Sequence, residues 1–396
     1  MTPLPPLRVL FVHQSADLYG SDRVVLELAT AVAAAGGEPV VVLPGGGPLV
    51  AALQGRGIET HPVQPLQVLK LTRALMTPAG LLRLLRAVPG ALAAIDACVG
   101  GRRIDVVHSN TLAVLGGAAW ARRRRVKHLW HLHEMVERPA VAARLFPWLV
   151  SRLADRIVCN SRATRQWLLG HQPALSSRAD VVWNGVPEAG YREDTVQALR
   201  RTFRPGGRPH AVGLVGRINR MKGHHLLLDA AETLHAQGCT DFSIVFIGSP
   251  PPGQDHHLDT LRRRVDASPV ADRVVFAGFV PDPAAAYAAL DIVCAPSTEA
   301  EAFGLVAVEG MAAARPVIAA RIGGLPEVVV HGETGLLHVA GDADGLASCL
   351  ADLLSNAPRR TVLGRAGRAR FEREFTQQAM NARFLALVGA LGARPA

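Results

Sequence analysis

Short apolar runs alternate with amphipathic segments along most of the chain, and this pattern predicts β-strands followed by α-helices. The first run, Leu7–Val12, is typical of a strand buried in a parallel sheet. A turn at residues 19–21 follows, and then a helical pattern for which Ser21 or Asp22 is the expected N-cap and Gly36 the expected end. Because strands alternate with helices, the chain is predicted to be an α/β protein with parallel sheets.

The same alternation occurs in both halves of the chain, which predicts two domains of similar design. Further strands of the first half are predicted at Pro39–Leu43, Val106–His108, Lys127–His131, Arg156–Cys159 and Asp180–Val182. Strands of the second half are predicted at Ala211–Val215, Ser243–Ile247, Val274–Ala277, Ile292–Ala295 and Pro316–Ala319. Proline, glycine and charged residues between the halves indicate a linker. The expected division is 1–190, a linker at 191–210, a second domain at 211–375, and a helix at 376–396 that packs back toward the first domain.

Length and composition are those of a folded two-domain protein with an excess of positive charge. The 396 residues exceed the roughly 250–300 at which one core usually divides. Hydrophobic residues make up 49% of the chain, which excludes a disordered protein. The net charge of +10 indicates an anionic partner or simply an arginine-rich composition. Nucleic acid is not expected as a partner, because aromatic residues are only 5% and no known binding module is recognisable.

The cysteines and the apolar runs indicate in which cellular compartment the protein is expected. The five cysteines are scattered and form no CxxC pair, which argues against a disulfide framework and a zinc site. We find no signal peptide and no window of about 20 apolar residues. The expectation is a soluble, cytoplasmic protein, or one that associates peripherally with the inner face of the membrane.

Two glutamates separated by seven residues form the strongest chemical signal. Glu301 is predicted on the loop after a strand, where its carboxylate can accept hydrogen bonds from sugar hydroxyls. Gly304 is expected to start a helix whose first N–H groups can hold a phosphate. Glu309 would lie one to two turns into that helix and reach a diol such as ribose. An isolated glutamate pair is usually a solvated helix face, but the Phe-Gly between these two favours a ligand site.

A basic loop from Gly216 to Gly223 directly follows the strand Ala211–Val215. Gly216 permits a tight turn, Arg217 offers a planar fork to a diphosphate, and Lys222 offers a compact positive charge. Two cations suit a departing nucleoside diphosphate, because negative charge grows on it as the bond to its sugar breaks. On its own, the loop could equally be a basic surface loop.

The chain resembles glycosyltransferase family 4, whose members are retaining enzymes of the GT-B fold. The motifs of the second domain that carry the resemblance are Gly216-Arg217…Lys222-Gly223, Pro296-Ser297…Glu301-Ala-Phe-Gly…Glu309 and Gly323-Gly324-Leu-Pro-Glu327. Those of the first domain are Gly20, His133-Glu134, Asn160-Ser161 and Asn184-Gly185-Val186. The resemblance covers essentially the whole second domain and is thinner in the first. It implies two Rossmann-like doubly wound domains that face each other across a cleft.

The resemblance also implies roles for the matching residues of the second domain. Arg217 and Lys222 would bind the donor diphosphate, Glu301 the hydroxyls of the donor sugar, and Glu309 the ribose. The segment Gly278-Phe279-Val280 would contact the base through its backbone. The implied catalytic residues are His133, Glu301, Arg217 and Lys222. The implied donor-binding residues are Gly20, Gly216, Arg217, Lys222, Gly278, Phe279, Val280, Glu301, Phe303, Gly304, Leu305 and Glu309.

In the first domain, the resemblance implies that His133 is the active-site histidine facing the sugar and that Gly20 lies in a glycine loop near the diphosphate and the acceptor. Tyr19 stands where many members carry a glycine, and Glu134 where aspartate is commoner. His131 lies close by, but the family spacing favours His133. A further departure is the glycine at position 310, where alanine is commoner.

Cofactor motifs are weak. Asp342-Ala-Asp344 resembles a metal-binding DxD, but its place before a helical run is typical of an N-cap. Gly45-Gly46-Gly47 lacks the G-x-G-x-x-G spacing of dinucleotide sites. We therefore expect no metal and no cofactor other than the nucleotide-sugar co-substrate.

One stretch raises the question of membrane binding. Residues Leu69–Ile95 mix leucines with basic residues and could lie on an anionic membrane surface, with Arg122–Arg125 and Lys127 adding charge. The favoured interpretation is an ordinary surface helix whose apolar face packs inward.

The predicted function is that of a retaining glycosyltransferase. It would move a hexose-type sugar from a nucleotide-diphosphate donor to a glycan or lipid-linked acceptor, in the biosynthesis of a cell-surface polysaccharide or glycoconjugate. By the family's front-face route the leaving phosphate oxygen would accept the proton of the acceptor, so that no protein nucleophile is needed. The alternative is a nucleotide-sugar epimerase or hydrolase of the same fold.

Overall fold

The computed structural model describes residues 7–71, 77–188, 190–251 and 253–393. Its contacts divide the chain into two units, each built on one parallel sheet, which confirms the predicted α/β class. The first unit is the chain up to Gly185 together with the segment from Gln377 onward. The second unit is Val186–Thr376.

The first unit contains a seven-stranded parallel sheet in the order β3-β2-β1-β4-β5-β6-β7. Its strands are β1 (Arg8–Val12), β2 (Glu38–Pro44), β3 (Glu59–Val63), β4 (Val106–Asn110), β5 (Lys127–Leu132), β6 (Arg156–Cys159) and β7 (Ala179–Val181). The strands in the middle of the sheet are almost wholly buried because helices cover both faces.

The second unit contains a six-stranded parallel sheet in the order β10-β9-β8-β11-β12-β13. Its strands are β8 (His210–Val215), β9 (Phe242–Ile247), β10 (Val274–Gly278), β11 (Ile292–Ala295), β12 (Val317–Ala320) and β13 (Gly335–His338). Every predicted strand is present in the two sheets, with ends that differ by at most two residues.

Helices connect the strands in both units. In the described part of the first unit they are α1 (Gly20–Ala34), α2 (Pro48–Gly55), α3 (Pro78–Val99), α4 (Gly116–Arg124), α5 (Ala140–Leu153) and α6 (Arg162–His171). In the second unit they are α7 (Glu193–Phe203), α8 (His224–Ala236), α9 (His256–Asp266), α10 (Pro283–Ala289), α11 (Leu305–Ala312), α12 (Leu325–Val328), α13 (Ala343–Ser355) and α14 (Ala357–Glu374). The last helix, α15 (Gln377–Gly392), belongs to the first unit.

Helix α15 is part of the first unit's core. Met380, Phe384 and Val388 recur every four residues, so they lie on one face, and each is at most 1% exposed. The Phe384 ring packs edge-on against the ring of His108 at 5.1 Å between centroids. The final helix is therefore held by apolar packing against the sheet of the first unit.

The segment predicted as a linker forms a helix. Val196 and Phe203 of α7 are fully buried, and the Phe203 carbonyl accepts a hydrogen bond from the Ser243 hydroxyl of β9 at 2.5 Å. The charged residues of α7 interact favourably with the helix dipole, because acidic residues lie in the first turn and arginines in the last. The Pro-Gly-Gly break that suggested a linker is confined to a single 3-10 turn at Pro205–Gly207.

Helix α1 starts earlier than expected. Tyr19 is its N-cap, and neither Ser21 nor Asp22 holds that position. Asp22 instead reaches back, and its Oδ2 accepts a hydrogen bond from the Tyr19 backbone N–H at 2.9 Å. The carboxylate therefore stabilises the helix start from inside the first turn.

Helix α3 covers most of the stretch considered for membrane binding, of which residues 72–76 lie outside the described residues. Leu84, Ala91 and Ile95 face the core, whereas Leu81, Leu82 and Leu85 are exposed. None of the described helices combines the length and the apolar character needed to cross a bilayer.

Candidate active site

Each sheet reverses its strand order at one point, and ligands of open α/β sheets bind beyond the carboxyl ends of the strands at such points. In the second unit this point lies between β8 and β11. The loop after β8 contains the basic segment 216–223, and the loop after β11 contains Glu301. In the first unit the point lies between β1 and β4, where helix α1 begins at Gly20. The basic segment and Glu301 thus follow the two strands at the switch point of the second sheet, and Gly20 lies at that of the first.

Lys222 and Glu301 form an ion pair in the second unit. Lys222 Nζ lies 2.8 Å from Glu301 Oε1, and the two side chains are 24% and 12% exposed. The hydroxyl of Ser297 donates to the same carboxylate oxygen. Asn219 Oδ1 accepts from the backbone N–H groups of Met221 at 3.0 Å and Lys222 at 3.2 Å, which holds the 3-10 turn that presents the lysine. The pair is therefore fixed from both sides.

The loops that carry this ion pair are also joined through their backbones. The Thr298 N–H donates to the Met221 carbonyl at 2.9 Å. Gly223 has φ +78°, and a Cβ there would lie 2.0 Å from the Pro296 carbonyl oxygen. Only glycine permits this approach, so Gly223 brings the two loops into contact.

The Gly-Gly-Leu-Pro-Glu motif supports the loop of Glu301. The Gly324 N–H donates to the Glu301 carbonyl at 2.8 Å. Gly323 has φ +58°, and a Cβ there would lie 2.2 Å from the same carbonyl oxygen. The motif therefore positions Glu301 through main-chain contact, while its glutamate, Glu327, lies within α12.

The segment 303–305 forms the start of α11. Gly304 is the N-cap with φ +102°, and a Cβ there would lie 2.5 Å from Leu325 Cδ2. Leu305 is the first helical residue, which agrees with the helix start expected at Gly304. The Phe303 side chain is only 3% exposed and packs edge-on against Phe375 at 5.9 Å. The Phe303 side chain therefore packs beneath the helix start, and its contact with the donor stays a prediction.

Glu309 is held by a residue that sequence reasoning missed. The Tyr287 hydroxyl of α10 donates to Glu309 Oε2 at 2.6 Å, and Tyr287 is only 2% exposed. The one signal in the sequence is a tyrosine within an alanine-rich segment, which by itself predicts only burial.

The glycine at position 310 has a packing reason. A Cβ on Gly310 would lie 3.1 Å from Val317 Cγ2 and 3.2 Å from Val293 Cβ. These β-branched side chains are stiff, and an alanine at position 310 would require them to shift by a few tenths of an ångström.

Three strand ends meet beside the basic loop. The Gly248 N–H donates to the Gly278 carbonyl at 2.7 Å, and a Cβ on Gly248 would lie 2.1 Å from the Gly216 carbonyl oxygen. Arg217 follows at an exposed position. Phe279 is 74% exposed, and Val280 is partly buried. Backbone and side-chain groups of these predicted residues are thus accessible to a ligand.

His133 follows β5 in the first unit and is partly exposed. Its Nε2 lies 2.8 Å from Asn110 Oδ1. Burial lowers the pKa of His133 well below its usual value, with the nearby His131 and His13 as further causes. His131 is fully buried, with Nδ1 3.4 Å from His108 Nε2. Of the two histidines considered, only His133 is accessible to a ligand.

Glu134 has an unusual environment. Its Oε2 accepts hydrogen bonds from the backbone N–H groups of Leu112 at 3.2 Å and His133 at 3.3 Å. Removal of the carboxylate from water raises the pKa of Glu134 to about 7, although these two bonds act in the opposite direction. Glu134 therefore gains or loses its charge near neutral pH.

The acidic pair set aside as a metal site is structural. Asp342 is the N-cap of α13, and its Oδ1 accepts from the Gly345 N–H at 2.9 Å, which confirms the capping prediction. Among the described residues, no group of three or more His, Cys, Asp or Glu side chains comes together as a metal site would require.

Solved structures with a similar arrangement of strands and helices identify the fold. HepE of Anabaena, in complex with UDP and glucose, superposes with a TM-score of 0.82 at 22% identity over 96% of this chain and 99% of its own. A glycosyltransferase from Rickettsia africae gives 0.83 at 19% identity over 98% and 99%. The fold is the two-domain GT-B type.

Family models place the chain within this class. Residues 197–370 match glycosyl transferases group 1, and residues 19–189 match glycosyltransferase family 4. Together the two models cover most of the chain, which belongs to the family that its motifs resemble, glycosyltransferase family 4. A similar protein is the D-inositol 3-phosphate glycosyltransferase of Corynebacterium glutamicum, 36% identical over 216 residues, which are 53% of this chain and 51% of that protein. The chain spans about half the length of the curated relatives it matches.

Proposed function

We propose that this protein is a retaining glycosyltransferase that transfers a hexose-type sugar from a nucleoside-diphosphate donor bound to its second unit. The contact of 2.8 Å between Lys222 Nζ and Glu301 Oε1 at the switch point of the second sheet carries this proposal. A lysine and a carboxylate held together beside a helix N-terminus offer one group for the diphosphate and one for the sugar.

The chemistry follows from the charge that develops in the reaction. As the bond between the anomeric carbon and the phosphate oxygen breaks, negative charge grows on the diphosphate. Lys222 and Arg217 would stabilise that charge, and Lys222 is already oriented by Glu301 and by the Asn219 turn. Both bonds to Glu301 go to Oε1, so Oε2 is the oxygen that a sugar hydroxyl would meet.

The front-face route completes the proposed reaction. The acceptor hydroxyl would form its bond to the anomeric carbon on the face that the diphosphate leaves. Its proton would pass to the departing phosphate oxygen. The products would be the glycoside with retained configuration and the nucleoside diphosphate.

Proteins that resemble this chain suggest which substrates it uses. HepE has been solved with UDP-glucose, so UDP-glucose is the first donor that we propose. For the acceptor we propose a glycan or a lipid-linked glycan. A phosphorylated cyclitol is the second candidate, because the relatives are named D-inositol 3-phosphate glycosyltransferases.

Product analysis by NMR tests the proposal. We expect the protein to release UDP from UDP-glucose in the presence of an accepted acceptor and to form an α-glycoside. A β-glycoside would contradict the retaining mechanism. Free glucose as the main product with every acceptor would identify a hydrolase, and a changed sugar nucleotide would identify an epimerase.

We further propose that the first unit associates with an anionic membrane surface on the cytoplasmic side. A cavity of about 380 Å³ is lined by several cations, among them Arg122, Arg125, Arg152 and Arg178. The exposed leucines of α3 belong to the same unit. We expect the protein to sediment with phosphatidylglycerol vesicles at low salt, and less so after Arg122→Glu. A protein that stays in the supernatant with these vesicles would contradict the proposal.

A further inference from the structure

A line of buried, hydrogen-bonded side chains connects the start of α1 to His133. We call Asp22, His13 and Asn110 the polar line; each is at most 4% exposed. Asp22 Oδ1 lies 2.6 Å from His13 Nε2. Asn110 Nδ2 lies 3.1 Å from His13 Nδ1, and Asn110 Oδ1 lies 2.8 Å from His133 Nε2. Three successive contacts thus lead from a carboxylate to the candidate active-site histidine.

The direction of these hydrogen bonds is set at the carboxylate. Asp22 Oδ2 accepts from the Tyr19 N–H, and an ionised carboxylate can only accept, so His13 Nε2 must carry a proton and donate to Oδ1. In a neutral imidazole the other nitrogen is then an acceptor. His13 Nδ1 therefore accepts from the amide of Asn110.

A second contact fixes the orientation of the Asn110 amide. Asn110 Nδ2 lies 3.3 Å from the Ser21 carbonyl oxygen as well as 3.1 Å from His13 Nδ1. A flipped amide would turn its oxygen toward two acceptors, which is unfavourable. The backbone oxygen of Asn110 is farther from His13 Nδ1, at 3.4 Å, and does not displace this bond. Asn110 Oδ1 therefore faces His133, and because it only accepts, His133 Nε2 must carry the proton.

We infer that the polar line positions His133 as the neutral tautomer with its proton on Nε2, which leaves Nδ1 to accept a hydrogen bond from a hydroxyl of a sugar substrate. The identity of that hydroxyl rests on the proposed function, whereas the tautomer rests on the contacts alone. The partner of the second ring nitrogen commonly sets the tautomer of a working histidine. Here the partner is an amide whose own orientation is set by a buried histidine and aspartate.

Asp22 also fixes the turn that precedes Gly20, through its bond to the Tyr19 N–H. One carboxylate therefore supports both elements of the first unit to which the resemblance gives a role, the glycine loop and the histidine. These residues are positioning residues, since none of them is expected to touch the substrate.

The test is nitrogen NMR of histidine-labelled protein, in which each ring nitrogen reports whether it carries a proton. The His133 signals are assigned by their loss in His133→Gln. We expect wild-type His133 to carry its proton on Nε2. In Asp22→Asn the new amide can accept from Tyr19 N–H and donate to His13 Nε2, which moves the His13 proton to Nδ1, where it opposes the present orientation of the Asn110 amide. Only the Ser21 carbonyl then holds that orientation, so the His133 proton should shift toward Nδ1. The exposed Asp17 of the same loop supplies the control, and Asp17→Asn should leave the spectrum unchanged.

Kinetics complete the test. We expect Asp22→Asn to lower kcat by roughly tenfold or more, as a wrong tautomer does in other enzymes. UDP binding should stay unchanged, because the new side-chain oxygen still accepts from Tyr19 N–H and holds the turn before Gly20, and because UDP lacks the sugar. A proton on Nδ1 in the wild type would overturn the inference even if Asp22→Asn does not fold. A changed tautomer with unchanged kcat would overturn the role toward the sugar. If the tautomer is as expected but no donor is turned over, the proposed function fails and the polar line does not.

Discussion

At the scale of single residues, the proposed role of Lys222 in the reaction depends on the position in which its ammonium group is held. We expect Lys222→Ala to lower kcat by about 10²–10³, because removal of one preorganised charge or donor at a reacting centre has effects of that size. Lys127→Ala is the matched control, since Lys127 also pairs with a carboxylate, Asp155 at 3.2 Å, but at an exposed position. That control should change stability by less than about 1 kcal/mol and leave kcat unchanged. Steady-state kinetics of the two variants decide the assignment, and equal kcat values would refute it.

The raised pKa of Glu134 predicts how the stability of the folded protein depends on pH. The pKa of this carboxyl group is raised in the folded protein to about 7, from an ordinary value of 4.5. The folded state therefore favours the protonated form, and its stability falls as the pH rises from about 4.5 to about 7. In Glu134→Gln the side-chain oxygen can still accept from Leu112 and His133, and this pH dependence is removed.

The urea unfolding midpoints of wild type and Glu134→Gln, measured from pH 5 to pH 8, test this prediction. We expect the variant to gain stability relative to wild type as the pH rises, by on the order of 2 kcal/mol in total. A difference that stays constant over this range would show that Glu134 titrates normally.

At the scale of elements, the strands in the middle of each sheet are predicted from the sequence more completely than the edge strands and helix α7. Buried parallel strands are continuous apolar runs, so ten strands besides β1 were identified from local pattern. The strands that were missed are β3, which contains Pro62 and polar residues at the edge of the sheet, and the four-residue β13. Helix α7 was missed because its charges and the prolines that flank it resemble those of a linker, whereas its burial depends on the second sheet.

The loop of Glu301 depends on a second element for its shape. In Gly323→Ala a Cβ would meet the Glu301 carbonyl oxygen at 2.2 Å, in addition to the strain of φ +58°. Gly332→Ala is the matched control, because Gly332 has φ +79° but nothing within 4 Å of its Cβ position. The control isolates the backbone strain, which is of order 1–2 kcal/mol.

We expect Gly323→Ala to lose clearly more stability than Gly332→Ala and to lose nucleotide-sugar turnover as Glu301 is displaced. Thermal unfolding and steady-state kinetics of the two variants measure both effects. Equal losses in the two variants would show that the Gly323 backbone does not support the loop.

At the scale of the whole molecule, strand order decides which residues meet, and local pattern does not contain it. The amino-acid sequence of the segments after β8 and β11 does not show that these strands are neighbours in the sheet. The prediction that the basic loop and Glu301 act together therefore rests on a family resemblance. Tyr287 and Asn110 were missed for the same reason, because their partners are brought to them by the fold. Ser297 was recognised as part of a motif, but its contact with Glu301 was not predicted.

The donor site of the second unit is the central claim, and binding of nucleotides without added metal tests it most directly. Isothermal titration of UDP, GDP, ADP and NAD is carried out with the wild type, Lys222→Ala and Lys127→Ala. We predict that the wild type binds one nucleoside diphosphate, that Lys222→Ala binds it at least tenfold more weakly, which is about 1.4 kcal/mol, and that Lys127→Ala binds as wild type does. Binding of NAD alone, or equal affinity in wild type and Lys222→Ala, would contradict the account.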